Sequence, residues 1–342
     1  MNTAWLDHLQ HRGATVDSAG VVSFGDGDAE AAAIARGTVL CDLSHYALIR
    51  FSGEDSQQYL QNQLSCDVDA MAVGTAQYGG YCTPQGRMLA SFMLWKDATG
   101  YSIQLPRSLV APIRKRLATY ILRSKVTAVD ASDEYILLGI AGKQAEAALR
   151  HRFENIPSAP LRLTVAQDAT VLRLGAERFQ VVAPANAAPA IWDALGAHAT
   201  PVESAAWDWL QIRRGIPVIT PATQEQFVPQ MANLDLLGGV SFNKGCYPGQ
   251  EIVARMHYLG KLKQRMYLAN VASQAAPQPG DKLYSADKEN QATGMIVNAA
   301  PSPDGGYDVL AVIQIESARQ GSVHWQSLAG PPLRLLDLPY KL

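Results

Sequence analysis

The run Asn243-Lys244-Gly245-Cys246-Tyr247-Pro248-Gly249-Gln250-Glu251 restricts the backbone more than any other stretch of this chain. Its two glycines and proline fix a tight, irregular turn. Beyond Gly249 the pattern becomes helical, with Gln250 and Glu251 in a first turn where the helix dipole favours a carboxylate. Glu251 and Arg255 then stand at i and i+4. Cys246 is therefore expected in a stiff loop just ahead of a helix start, two residues after Lys244. Both surroundings favour thiolate over thiol. The competing reading is a buried cysteine that acts as a small apolar side chain.

At 342 residues the chain exceeds one ordinary core, and two or three packed units are expected. Apolar content of 48% with 18% charged residues describes a soluble globular protein. The N-terminus has no basic and apolar signal pattern, and runs such as Leu89 to Leu94 are too short to span a bilayer. A net charge of −2 provides no global field for a polyanion, so no direct nucleic-acid binding is expected. Cys41, Cys66, Cys82 and Cys246 are widely spaced and show neither a CxxC nor a Cys/His ligand pattern. That argues against a disulfide scaffold or a metal site and for a cytoplasmic protein.

Taken in order, the chain predicts helices over 29–36, 55–64 and 109–121, with strands over 46–51, 77–83, 88–96 and 101–105. Pro84-Gln85-Gly86 and the stretch 97–100 are hairpin connections. A second pass of similar design begins near Tyr135, with strands over 135–140, 170–174 and 179–182 and helices over 143–153 and 187–195. This β-α-β-β-α order suits a ferredoxin-like split βαβ unit, of which the first half is a weaker version. A further helix spans 203–214. Short strands over 263–271, 281–285, 294–299, 307–315 and 333–336, with a hairpin turn at 303–306, read as a small antiparallel β-barrel.

The run Lys244-Gly245-Cys246-Tyr247-Pro248-Gly249-Gln250-Glu251 resembles the signature of the YgfZ family of folate-binding, iron–sulfur-associated proteins, relatives of the glycine cleavage T-protein. Further blocks resemble the family in the same order: Cys41-Asp42-Leu43-Ser44, Phe51-Ser52-Gly53, Gln61-Asn62-Gln63-Leu64, Gly86-Arg87 and Leu122-Arg123-Ser124-Lys125-Val126. So do Gly215-Ile216-Pro217, Pro229-Gln230-Met231-Ala232-Asn233-Leu234 and Leu338-Pro339-Tyr340. The resemblance implies an α+β fold of two ferredoxin-like-type subdomains forming a folate-binding region over 1–262, split near 130. A C-terminal antiparallel β-barrel over 263–342 completes a three-lobed ring.

It also implies a cofactor, tetrahydrofolate or a one-carbon derivative, lined by Tyr46 and Trp207, with Trp209 as the alternative to Trp207. Read without the family, each aromatic is a core residue. Arg213, Arg214 and Lys261 are candidates for the glutamate tail of folate, with solvated surface as the alternative. T-proteins place a carboxylate on the strand after the Gly-rich turn, but here the acidic pair falls on Ala90 and Ser91, which cannot exchange protons near neutral pH. The resemblance therefore points to a monomeric folate-binding accessory protein. It would serve iron–sulfur assembly or repair, and thereby tRNA-modifying enzymes, with Cys246 as the functional thiol. Its partners would be iron–sulfur client or assembly proteins. The alternative is a folate-dependent one-carbon transferase or demethylase using Asp42, Asp67 or Glu251. A cysteine hydrolase would need a histidine, and His257 is the only sequence neighbour of Cys246.

Overall fold

A computed structural model describes residues 2–17, 20–166, 168–288, 291–320 and 322–342. The chain begins with α1 (Thr3–His11), the hairpin β1 (Thr15–Asp17) and β2 (Gly20–Ser23), and α2 (Gly27–Arg36). It continues through β3 (Val39–Asp42), β4 (Tyr46–Ser52), α3 (Ser56–Gln61), β5 (Thr75–Cys82), β6 (Met88–Asp97), β7 (Gly100–Pro106), α4 (Arg107–Ala118) and β8 (Thr127–Asp130). The second pass is β9 (Tyr135–Ala141), α5 (Ala145–Arg150), β10 (Arg162–Ala166), β11 (Ala169–Arg173), β12 (Arg178–Pro184), α6 (Ala188–Gly196) and β13 (Thr200–Val202), followed by α7 (Ser204–Arg213). After a long irregular stretch come α8 (Gln250–Tyr258), β14 (Gln264–Val271), β15 (Lys282–Ser285), β16 (Ala292–Pro301), β17 (Tyr307–Gln314), α9 (Ile315–Gln320), β18 (Val323–Trp325) and β19 (Leu333–Leu336).

The contacts divide the chain into two units. One holds residues 1–56, 71–77 and 93–207; the other holds 57–70, 78–92 and 208–342. The boundary falls inside β5 and β6.

The first unit is built on a sheet of strand order β13-β3-β9-β12-β11-β10-β5-β6-β7-β4-β8. Strand β9 alternates strictly: Ile136, Leu138 and Ile140 face a core with Trp5, Leu9, Phe179, Val181, Ile191 and Trp192. Asp42 is fully buried beneath α1, where it accepts the Trp5 indole N–H at 2.8 Å and the Ser44 hydroxyl at 2.7 Å. Burial pushes its pKa above the ordinary carboxylate value.

In the second unit, β14–β19 form one antiparallel sheet of order β18-β15-β16-β17-β14-β19. The strands match the sequence expectation closely, and the sheet forms a half-barrel. Its edge strands β18 and β19 are joined, among the described residues, by the isolated bridge His324↔Pro332. The apolar side buries Ala269, Val271, Ile296, Val309, Ala311 and Trp325. Sequence reading missed the short elements β1, β2, β8, β10, β13, β18 and α9, because three to six residues carry too few side chains to display a period.

Candidate functional site

The Cys246 loop folds as its glycines dictate. Gly249 is left-handed at φ 83° and occupies the N-cap of α8, with Glu251 in the first turn. A Cβ on Gly249 would stand 2.5 Å from the Thr83 carbonyl oxygen and 2.6 Å from Gly86 Cα. Gly86, at φ 75° in the β5–β6 turn, would likewise press a Cβ to 3.1 Å from Ile252 Cβ. Two turns that look independent in sequence thus pack backbone to backbone, and neither tolerates a side chain. Gln250 closes the loop by donating its amide N–H to the Lys244 carbonyl at 3.2 Å. From below, Gln230 donates to the Val253 carbonyl of α8 at 2.6 Å.

Lys244 does more than charge the loop. Its ammonium donates to the carbonyl oxygens of Leu64 and Cys66, each at 2.7 Å, and lies 5.2 Å from the centre of the Tyr247 ring. Burial pushes its pKa down to about 8, against the opposing pull of Cys66, Asp67 and Asp69. The same interior pushes the thiols of Cys66 and Cys82 up to about 12 and raises the Tyr247 phenol. Cys41, Cys66 and Cys82 are buried, whereas Cys246 is exposed. Thiol chemistry with an external partner therefore falls to Cys246. His257 is stacked on Phe242 at 3.8 Å between ring centres.

Ala90 and Ser91 are buried in β6. The Ser91 hydroxyl donates to the Pro217 carbonyl at 2.8 Å and accepts the Ile219 N–H at 2.9 Å, so it fastens the segment after α7. Three separate sequence blocks also meet here. The Tyr340 hydroxyl donates to the Gly215 carbonyl at 2.7 Å, and Asn233, left-handed at φ 58°, donates to the Met266 carbonyl at 2.7 Å.

The two aromatic candidates lie in the first unit. Tyr46 opens β4 and is buried, with its ring centre 4.4 Å from that of His45. Trp207, on α7, is fully buried and so tightly seated that a Cβ on Gly139 would stand 2.5 Å from its Cε3. The Arg178 guanidinium lies 5.3 Å from its ring centre. Its indole N–H is buried with no hydrogen-bond partner among the described residues.

Gln180 pairs with Gly139 across β12 and β9, which puts it on the Trp207 side of the sheet. It donates to the Gln104 side-chain oxygen at 2.6 Å, while its own amide oxygen is also buried and unpartnered among the described residues. Gln104 in turn pairs with Leu48, two residues from Tyr46 on one face of β4. Tyr46, Gln104, Gln180 and Trp207 thus belong to one polar-lined face that carries an unused donor and an unused acceptor. Sequence reasoning missed Gln104, Gln180 and Gly139. The available signal was the polar pair Arg178 and Gln180 at i and i+2 in an otherwise apolar strand.

The remaining candidates are placed elsewhere. Trp209 donates its indole N–H to Asp308 at 2.9 Å, and Arg213 lies 3.5 Å from the same carboxylate. Lys261 is exposed beside the C-terminal half-barrel. Among the described residues no cluster of three His, Cys, Asp or Glu could hold a metal ion, and no helix is long and apolar enough to cross a membrane.

Comparison with a solved structure defines the class first. The glycine cleavage system aminomethyltransferase T from Bartonella henselae superimposes with a TM-score of 0.82, covering 99% of this chain and 97% of that one at 17% identity. The chain therefore has the T-protein fold, and the GCVT N-terminal domain family matches residues 22–160. Within that class its relatives are closer. It is 35% identical over 307 residues to the tRNA-modifying protein YgfZ of Shigella sonnei (strain Ss046), of Sodalis glossinidius (strain morsitans) and of Escherichia coli (strain SMS-3-5 / SECEC). Each match covers 89% of this chain and 93% of the relative. The chain belongs to the YgfZ family.

Proposed function

We propose that this protein binds tetrahydrofolate or a one-carbon derivative and acts in tRNA modification as an accessory to iron–sulfur cluster assembly or repair. The observation that carries the folate reading is the buried face of the first unit, where Trp207 offers an unused N–H and Gln180 an unused amide oxygen. Unsatisfied buried polar groups cost about 1–3 kcal/mol each, which a ligand of complementary polarity recovers. A pterin has such edges together with a flat ring suited to aromatic neighbours such as Tyr46 and Trp207. Trp209 and Arg213 are engaged by Asp308, which favours Trp207 as the aromatic and disfavours Arg213 as an anchor for the glutamate tail.

The strand orders β8-β4-β7-β6 and β9-β12-β11 support a folate-binding region of two ferredoxin-like subdomains over 1–262, with the C-terminal domain over 263–342. Folate itself supplies one-carbon chemistry; the residues of this chain bind and orient it. A transferase reading is weaker, because Ala90 and Ser91 carry no titratable group and Asp42 is committed to Trp5 and Ser44. The working group is the exposed thiol of Cys246, held by the Lys244 clamp and the Gly86–Gly249 contact. The protein acts as a cytoplasmic monomer on iron–sulfur client or assembly proteins, without contacting nucleic acid directly.

The test is complementation. In a deletion strain, Cys246→Ala should accumulate as folded protein yet leave iron–sulfur-dependent tRNA modification deficient. Full restoration by the variant would remove the thiol from the account.

A further inference from the structure

The C-terminal half-barrel carries a cleft that the folate reading does not use. It has a volume of ≈ 420 Å³ and is bordered by the approach to β14, the turn after β15 and helix α9. Lys261, Lys263, Lys288 and Arg319 line it, with Glu316 as the one lining carboxylate among the described residues and Asp287 beside Lys288. The chain as a whole has a net charge of −2, so this is a local concentration of cations on a slightly acidic protein. Glu316 does not neutralise it. Its carboxylate is 76% exposed and 3.9 Å from Lys288, a solvent-screened pair. Lys261, Lys263 and Arg319 have no ion-pair partner among the described residues.

The cations also stand on a fixed frame. Thr293 donates its hydroxyl to Ser317 at 2.5 Å, and Ser317 passes a hydrogen bond to Asp287 at 2.8 Å; Thr293 and Ser317 are both fully buried. This chain ties the start of α9 to the turn that carries Lys288. The Ile315 N–H donates to the Lys263 carbonyl at 2.9 Å, which ties α9 to the approach to β14. The frame fixes where the four side chains start, and a bound anion relieves the repulsion among their charged heads.

From these features we infer that the cleft binds a small ligand bearing two or more linked phosphate groups. Lysine ammonium groups are point-charge phosphate ligands, and the Arg319 guanidinium offers a bidentate fork. Leu262 and Ile315 add apolar lining, but among the described residues no aromatic ring lines the cleft for base stacking, so recognition centres on the phosphate chain.

Calorimetric titration of the full-length protein with sodium tripolyphosphate tests this, with tetraglutamate titrated in parallel at matched ionic strength. Tripolyphosphate should bind saturably at one site, more tightly than tetraglutamate. The double variant Lys263→Gln/Arg319→Gln should bind it at least about tenfold more weakly with an unchanged melting temperature. Absence of saturable binding, undiminished binding by the variant, or equal affinity for tetraglutamate would each overturn the assignment.

Discussion

Lys244 shows how a residue's sequence neighbours and spatial neighbours differ. In sequence it stands two places from Cys246; in the fold its ammonium is spent on the carbonyl oxygens of Leu64 and Cys66. It therefore acts as a clamp that holds the loop, and its charge is tuned by an interior that also contains Cys66. A pH dependence follows. A lysine whose folded pKa is depressed to about 8, below its unfolded value, disfavours folding while protonated, so stability rises as pH climbs above 8. Cys66 and Cys82 work the other way. Their folded pKa values of about 12 stabilise the protein below the unfolded value of 9.0, and this contribution is lost as pH rises above it. Urea unfolding at intervals from pH 7.5 to 10.5 should therefore show stability rising to about pH 9 and then falling. Lys244→Met should remove the rise and leave the fall. A rise that survives in the variant would show that Lys244 is not its source.

Between elements, Asp308 of β17 links α7 to β14. This buried carboxylate accepts from Trp209 of α7 at 2.9 Å and from Asn270 of β14 at 2.8 Å, with Arg213 at 3.5 Å. Removing it leaves the Trp209 indole N–H without its acceptor, and the Asn270 amide keeps its bond to the Gly305 carbonyl at 3.2 Å. Asp308→Ala should destabilise the second unit by about 1–3 kcal/mol, read as a lower urea midpoint. A loss under about 1 kcal/mol would mean that water replaces the carboxylate. Nothing in the sequence marks Asp308, because its partners lie far away along the chain. By contrast, β14, β15, β16, β17 and β19 were legible to within about two residues at each end because turn residues bound them, whereas the three-residue β18 was missed. Gly86 and Gly249 were each readable as turn glycines. Their mutual contact was not, since close approach of two turns leaves no period in either.

At the scale of the whole molecule, the resemblance carried by the Cys246 loop led to the family, and the order of parts led to an α+β region followed by an antiparallel sheet. The expected barrel is present as a half-barrel sheet whose edge strands meet through one bridge. The face proposed for folate was legible only in part. Tyr46 and Trp207 came from the family pattern, but Gln180 sits in a strand that otherwise reads as core, and its role depends on Gly139 opposite it. That pairing puts an unpartnered acceptor on the same side of the sheet as the Trp207 indole N–H. Titration with folinic acid, followed by calorimetry, tests this most directly on the wild type and on Gln180→Leu. Saturable binding by the wild type should weaken at least about tenfold in Gln180→Leu while the variant still unfolds cooperatively, since it loses an unpaired buried acceptor together with the bond to Gln104. Equal affinity in the two proteins, or no binding by either, would contradict the account.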